Sequence, residues 1–328
     1  GIAIVSVVVA SWLSRTPMKL QAIIDALVLG TRNMVATAIL LLTVGLIVNV
    51  VSTTGIGNIF SLMISDWAGG SLLITIVLIA LASLVLGMGL PVTAAYIVLG
   101  TLSAPALYGL MAESQLLELI MAGHLPEQAR AIFMLAAPNA LDALNAPMDA
   151  ASAQQLLAVV PDDFRSQLYE QALSPHTISM LLVAAHMVIF WLSQDSNVTP
   201  PVCLTAFAAA AIAKTPPMRT GFTAWKIAKG LYIIPLLFVW SPMITGTLTE
   251  MLVVFAFALF GIYAIIAGLE GYLESELPWW LRLAMFPIGA LMLWPHGNLL
   301  LDFLGLALFL ITLVWSARRD RQMVQATA

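Results

Sequence analysis

The chain has 328 residues, 61% of them apolar and 9% charged, with a mean hydropathy of +0.99 and a formal charge of −4. Soluble domains carry about 25% charged residues, so the composition excludes a soluble enzyme, a nucleic-acid binder and a disordered tether. The single cysteine, Cys203, excludes an internal disulfide framework.

Several apolar runs reach the roughly 17–25 residues that a bilayer-crossing helix needs, which predicts an all-α polytopic membrane protein. The chain opens at Gly1 inside an apolar run, 1–13, with no charged n-region and no cleavage site. It is expected to be a fragment, or one chain of a divided protein. The stretch 14–31 places Arg15, Lys19 and Asp25 among Leu20, Ile23, Ile24 and Leu27, the spacing of an amphipathic helix at the interface. Residues 34–51 form a clean span that Ser52-Thr53-Thr54-Gly55 interrupts. A shorter amphipathic piece, 58–67, is closed by Gly69-Gly70.

The next apolar stretch, 71–107, is broken by Gly87-Met88-Gly89-Leu90-Pro91, which no uninterrupted helix tolerates. It is either one broken span or a hairpin that enters and leaves on the same face. Then 108–175 carries eight acidic residues (Glu113, Glu118, Glu127, Asp142, Asp149, Asp162, Asp163, Glu170) against two basic ones (Arg130, Arg165), a net of −6. This segment reads as a water-exposed helical insert. The run 176–192 meets Ser193-Gln194-Asp195-Ser196-Asn197-Val198-Thr199-Pro200-Pro201 and resumes over 202–213. Spans are predicted over 224–244, 248–269, 281–294 and 299–315, with Pro287 and Asp302 inside the last two.

Charge separates the two readings of 71–107. If it is a hairpin, one side receives Arg15, Lys19, Arg32, Lys214, Arg219, Lys226, Lys229, Arg282, Arg318, Arg319 and Arg321, which is 11 of the 13 basic residues. A through-span divides them 3 against 8. The positive-inside tendency favours the lopsided arrangement. The expectation is therefore a re-entrant hairpin entered from outside, an extracytoplasmic insert and a cytoplasmic C-terminus.

Backbone that is not helical at bilayer depth persists only where it lines a cavity or binds something. At each break one half-helix ends in free carbonyls suited to a cation, and another begins with free N–H groups suited to an anion. Candidate substrate or ion residues are Gly87, Met88, Gly89, Pro91 and Thr93 at the first break. At the second they are Ser193, Asp195, Ser196, Asn197, Thr199 and Pro200. If the coupling ion is sodium, Gly87, Ser193, Asp195, Asn197 and Thr199 are the oxygen donors expected for Na+, with a substrate carboxylate near Thr93.

An intramembrane carboxyl group is costly and functional by default, so Asp195 is read as carrying the coupling ion, as a sodium ligand or as a proton acceptor with no metal. The competing readings are an aqueous vestibule or a structural pair for Asp195, and simple kinks at the two breaks. His186 reads as a hydrogen-bonding core residue, with a proton relay as the alternative, and Cys203 as packing. Trp279 and Trp280 beside Arg282 read as an interfacial anchor. Glu250 at a span end reads as solvated, and Asp302 and His296 as lying at an aqueous edge. The sequence holds no metal-ligand cluster, nucleophile–base pair or phosphate loop, so no enzyme is expected. Without an ATP motif, pumping needs an ion gradient or a partner.

Gly87-Met88-Gly89-Leu90-Pro91-Val92-Thr93-Ala94-Ala95-Tyr96 with Ala104-Pro105-Ala106-Leu107 resembles the second hairpin of the large membrane subunit of tripartite ATP-independent periplasmic (TRAP) transporters, nearest the TAXI branch of fused permeases. Ala185-His186-Met187 through Asn197-Val198-Thr199-Pro200-Pro201-Val202 is similar to the unwound helix that follows there. Pro217-Met218-Arg219-Thr220-Gly221 and Ser241-Pro242 fit its pattern too.

The resemblance implies half of an elevator-type secondary importer of organic carboxylates in the bacterial inner membrane. Its partners would be a periplasmic substrate-binding protein, a small four-helix membrane subunit and the first-repeat half of the permease. In those terms 1–70 are scaffold and arm helices, 71–107 the re-entrant hairpin of a transport domain, 108–175 the insert, 176–213 the unwound transport-domain helix and 214–328 the C-terminal membrane helices. The insert is longer than the family pattern, and Asp195 stands where an uncharged residue is usual. A symporter that needs no binding protein, or a non-transporting membrane scaffold, are the alternatives.

Overall fold

The structure, a computed structural model, describes residues 2–12, 18–87, 90–136, 138, 141, 143–201, 203–294 and 297–327. Of the residues singled out above, Arg15, Met88, Gly89, Asp142 and His296 lie outside them. The described residues are helical throughout, apart from loops and one isolated bridge, Tyr272 with Glu276. The all-α membrane architecture is thus present.

The chain divides into two compact units, 1–54 and 55–328. The first contains α1 (Ile2–Trp12) and α2 (Leu20–Thr54). The expected interfacial helix and the span after it are one continuous helix of 35 residues. No proline lies inside it, and Thr31, Thr43, Thr53 and Thr54 fold their hydroxyls onto carbonyls one turn back, so polar residues cost the helix little in lipid. Trp12, Leu20, Leu42 and Leu46 are at least 63% exposed.

The second unit begins with α3 (Ile56–Ala68), set between Gly55 at φ +70° and Gly69 at φ +57°. Positive φ is where glycine alone carries no steric penalty. Next come α4 (Leu72–Gly87), α5 (Val92–Met121), α6 (Glu127–Ala136), α7 (Ala150–Ala158), α8 (Asp162–Ala172) and α9 (Pro175–Asp195). After a break, α10 (Leu204–Ala213) leads to α11 (Pro217–Ile227), a 3-10 segment (Ala228–Tyr232) and α12 (Ile234–Trp240). α13 (Leu248–Glu270), α14 (Trp279–Leu293) and α15 (Leu299–Thr327) complete it. By length and composition five segments can each cross a bilayer: Val92–Met121, Pro175–Asp195, Pro217–Trp240, Leu248–Glu270 and Leu299–Asp320.

The directions of α4 and α5 follow from what each touches on α9. The Ser83 hydroxyl donates to the Leu192 carbonyl at 2.9 Å, and one turn on Gly87 abuts Ser196, so α4 runs parallel to α9. On α5, Tyr96 meets Phe190 with ring centroids 5.5 Å apart, whereas Ala104 and Tyr108 face Leu182 across a cavity. α5 is therefore antiparallel to α9, and α4 and α5 form a helical hairpin.

Two expected boundaries shift. α5 continues as one helix through Pro105 to Met121, so position 108 lies inside a helix. Leu116 and Ile120 on its C-terminal half share a core with Phe133, Leu157 and Leu168 of α6, α7 and α8. α3 belongs with the hairpin rather than with α1 and α2, since the Ser61 hydroxyl donates to the Leu102 carbonyl at 2.6 Å. A second core, centred on Ala264, Met285 and Phe309, joins α13, α14 and α15.

Candidate functional site

The site is built where the end of α4 meets the break after α9. Gly87 closes α4, and a Cβ there would lie 2.4 Å from the Ser196 Cβ and 2.6 Å from its Oγ. Only hydrogen at position 87 lets the two backbones approach this closely. The end of α4 and the break are thus level with one another.

α9 runs three residues further than the sequence indicates. Ser193 and Asp195 sit in its last turn, not in the unwound stretch, which begins at Ser196 and ends at Cys203. The reason is local. The Ser193 hydroxyl donates to the Ile189 carbonyl at 2.8 Å, inside its own helix, and so does not compete with the helical ladder. The four last carbonyls of a helix have no intrahelical donor, yet here each receives one. Leu192 accepts from Ser83 Oγ, Ser193 from Ser196 Oγ at 3.0 Å, Gln194 from the Asn197 N–H at 3.1 Å, and Asp195 from the Val198 N–H at 3.1 Å. Thr199 Oγ1 adds a bond to the Asp195 carbonyl at 2.5 Å. These four carbonyls of α9 are each partnered, although a carbonyl oxygen keeps a second lone pair.

What stands unpartnered is the Asp195 side chain. It is 3% exposed, and neither Oδ1 nor Oδ2 has a hydrogen-bond partner. No lysine, arginine or histidine pairs with it among the described residues. The hard-oxygen chemistry of this orphaned group fits a small cation or a proton.

The other candidates divide around it. Ser196 and Thr199 are buried beside Asp195 in sequence and space, and Asn197 is half-buried. Pro200, joined to Pro201 by a cis peptide, faces Gly221 of α11. On the hairpin side Pro91 caps α5 and, like Thr93 in its first turn, is exposed. Ser83 and Tyr232 were not anticipated. Ser83 lies one helical turn before Gly87, so the i, i+4 face could have located it. Tyr232 comes from a distant 3-10 segment and bonds Thr199 Oγ1 at 2.6 Å, a proximity with no local signal.

His186 lies apart from this site. Its Nδ1 is 3.3 Å from the Tyr96 hydroxyl, on a cavity of about 510 Å³ between α5 and α9. Cys203 is fully buried, its sulfur packed against Gly221. Glu250 is engaged with Thr247 in a capping box at the start of α13. Within the described residues no group of three or more His, Cys, Asp or Glu forms a metal cluster.

Family comparison matches residues 1–270 to the tripartite ATP-independent periplasmic transporter, DctM component. No curated protein and no solved structure matches. α14 and α15 lie beyond the matched residues. With 270 of its 328 residues inside that match, the chain belongs to the DctM-component family of tripartite ATP-independent periplasmic transporters, and is a membrane component of such a transporter.

Proposed function

We propose that this chain is the second-repeat portion of a TAXI-type permease that imports organic carboxylates by cation-coupled elevator movement in the inner membrane. The observation that carries the reading is the Asp195 carboxyl group, 3% exposed and with both oxygens unpaired, at the break that meets the end of α4. Removing a carboxylate from water without compensation costs several kcal/mol even after relaxation. A cation that enters with the substrate removes that cost, and when it leaves the cost returns. Loading and unloading of Asp195 thereby favours one state of the break over another, which is the requirement for coupling.

If sodium is the cation, Asp195 would hold it with hydroxyl or amide oxygens from Ser196 and Asn197. The Ser193, Ser196 and Thr199 hydroxyls each donate their proton to a helix carbonyl, and each oxygen keeps a lone pair for a cation. The substrate carboxylate would meet the start of α5 near Thr93, where first-turn N–H groups carry partial positive charge. A periplasmic binding protein would deliver the substrate, and a small four-helix subunit and the first-repeat half would complete the carrier.

The test is carboxylate uptake into proteoliposomes with sodium and proton gradients imposed separately, with and without a binding protein. Wild-type uptake should require the binding protein and one of the two gradients, and Asp195→Asn should lose its dependence on that gradient. Unchanged ion and pH dependence in Asp195→Asn would remove Asp195 from the mechanism. Uptake without a binding protein would favour a two-component symporter.

A further inference from the structure

The 3-10 segment Ala228–Tyr232 touches three parts of the molecule. Its Leu231 carbonyl accepts the Trp191 indole N–H of α9 at 2.9 Å. Lys229 pairs with Glu270 at the end of α13 at 2.5 Å. Gly230 lies so close to α13 that a Cβ would come 2.8 Å from the Ile266 Cδ1. With its backbone fixed in this way, the segment presents Tyr232 to the break after α9.

The direction of the contact there is determined by proton count. A threonine hydroxyl has one proton, and Thr199 spends it on the Asp195 carbonyl. Its 2.6 Å contact with the Tyr232 hydroxyl must therefore be donated by tyrosine. The result is a one-way chain from Tyr232 O–H to Thr199 Oγ1 and from Thr199 O–H to the main-chain carbonyl of Asp195. Thr199 is buried, so its oxygen has no ready replacement donor from water. The carbonyl and the carboxyl group of Asp195 share one Cα, and the chain closes the turn just beyond it. Fixing that turn fixes the direction in which the unpaired carboxyl group projects.

We propose that Tyr232 is a positioning residue for the cation held by Asp195, acting through Thr199 and not by touching the cation. This rests on the coupling role given to Asp195 above, and takes sodium as the ion. Loss of the phenol hydroxyl leaves a bound-state geometry that Asp195 must find unaided, so sodium affinity falls while the fold persists.

The complete transporter carrying Tyr232→Phe, reconstituted and assayed for uptake across a sodium series at fixed pH, tests this. The half-saturating sodium concentration should rise about 3- to 10-fold, the scale of one net hydrogen bond, with most of the change there and not in maximal rate. Sodium-dependent stabilisation of the purified transporter against heat should shift to higher sodium by the same factor. Thr199→Val, which removes both bonds of the chain, should shift both readouts in the same direction. In an Asp195→Asn background Tyr232→Phe should add nothing.

A uniform loss of uptake and melting temperature with unchanged half-saturation would assign Tyr232 to packing and overturn the proposal. So would a full additional shift in the Asp195→Asn background, or wild-type uptake that needs no sodium. If Asp195→Asn alone leaves sodium dependence intact, the coupling role of Asp195 fails first, and the positioning role with it.

Discussion

At the scale of single residues, one hydrogen atom decides whether the hairpin can reach the break. Gly87→Ala would gain about 1 kcal/mol of helix propensity, but the new methyl would sit 2.4 Å from the Ser196 Cβ. Overpacking of this kind costs about 1–3 kcal/mol, and a Cβ, unlike the end of a long side chain, cannot swing away. Gly87→Ala should therefore lower the melting temperature and abolish uptake, and Ser196→Gly in the same chain should restore the melting temperature in part, but not uptake, since it also removes a proposed cation ligand. Recovery measured by thermal unfolding would confirm the contact; an unimpaired single variant would contradict it. The residue types at this site were legible in the sequence, because two glycines and a proline cannot continue a helix and a lone aspartate in an apolar run needs a reason. Their bonding was not. Whether a serine closes its own helix, as Ser193 does, or bridges to another, as Ser83 does, depends on tertiary neighbours.

Helices and their ends set where those residues stand. Helix existence was readable from apolar runs and glycine pairs, as with α3 between Gly55 and Gly69. Helix ends were less so: α2 absorbs an interfacial segment, and α5 passes Pro105 to reach Met121. Proline inside α5 is tolerated because only one N–H is lost and Ala104, Ala106 and Leu107 pack into the core around it. The end of α13 offers a test of element stability. Arg282 donates from Nε to the Gly268 carbonyl at 2.8 Å and from Nη2 to the Leu269 carbonyl at 2.7 Å, closing acceptors the helix leaves open. Arg282→Ala should cost about 1–2 kcal/mol, seen as a lower apparent melting temperature. Arg282→Lys should recover less than half, since one ammonium cannot serve two carbonyls with the guanidinium's fork. Equal stability of all three proteins would show that the cap contributes nothing.

Across the whole molecule, the second unit has two cores. One contains the hairpin, the helical insert, α9 and α12, the other α13 to α15. The 3-10 segment Ala228–Tyr232 connects them through Lys229 and Gly230. Basic residues gather near that connection: Lys226 and Lys229 on Glu270, and Arg282 on the end of α13. The proposed coupling would be a property of this entire assembly, and its most direct measure is the number of cations moved per substrate. That number is read from the membrane voltage at which net substrate flux reverses in proteoliposomes with fixed gradients. With Asp195 as the coupling group, Asp195→Asn should move at least one fewer cation per substrate than wild type, or carry substrate with no fixed ratio. An identical reversal voltage for the two proteins would contradict the coupling role of Asp195.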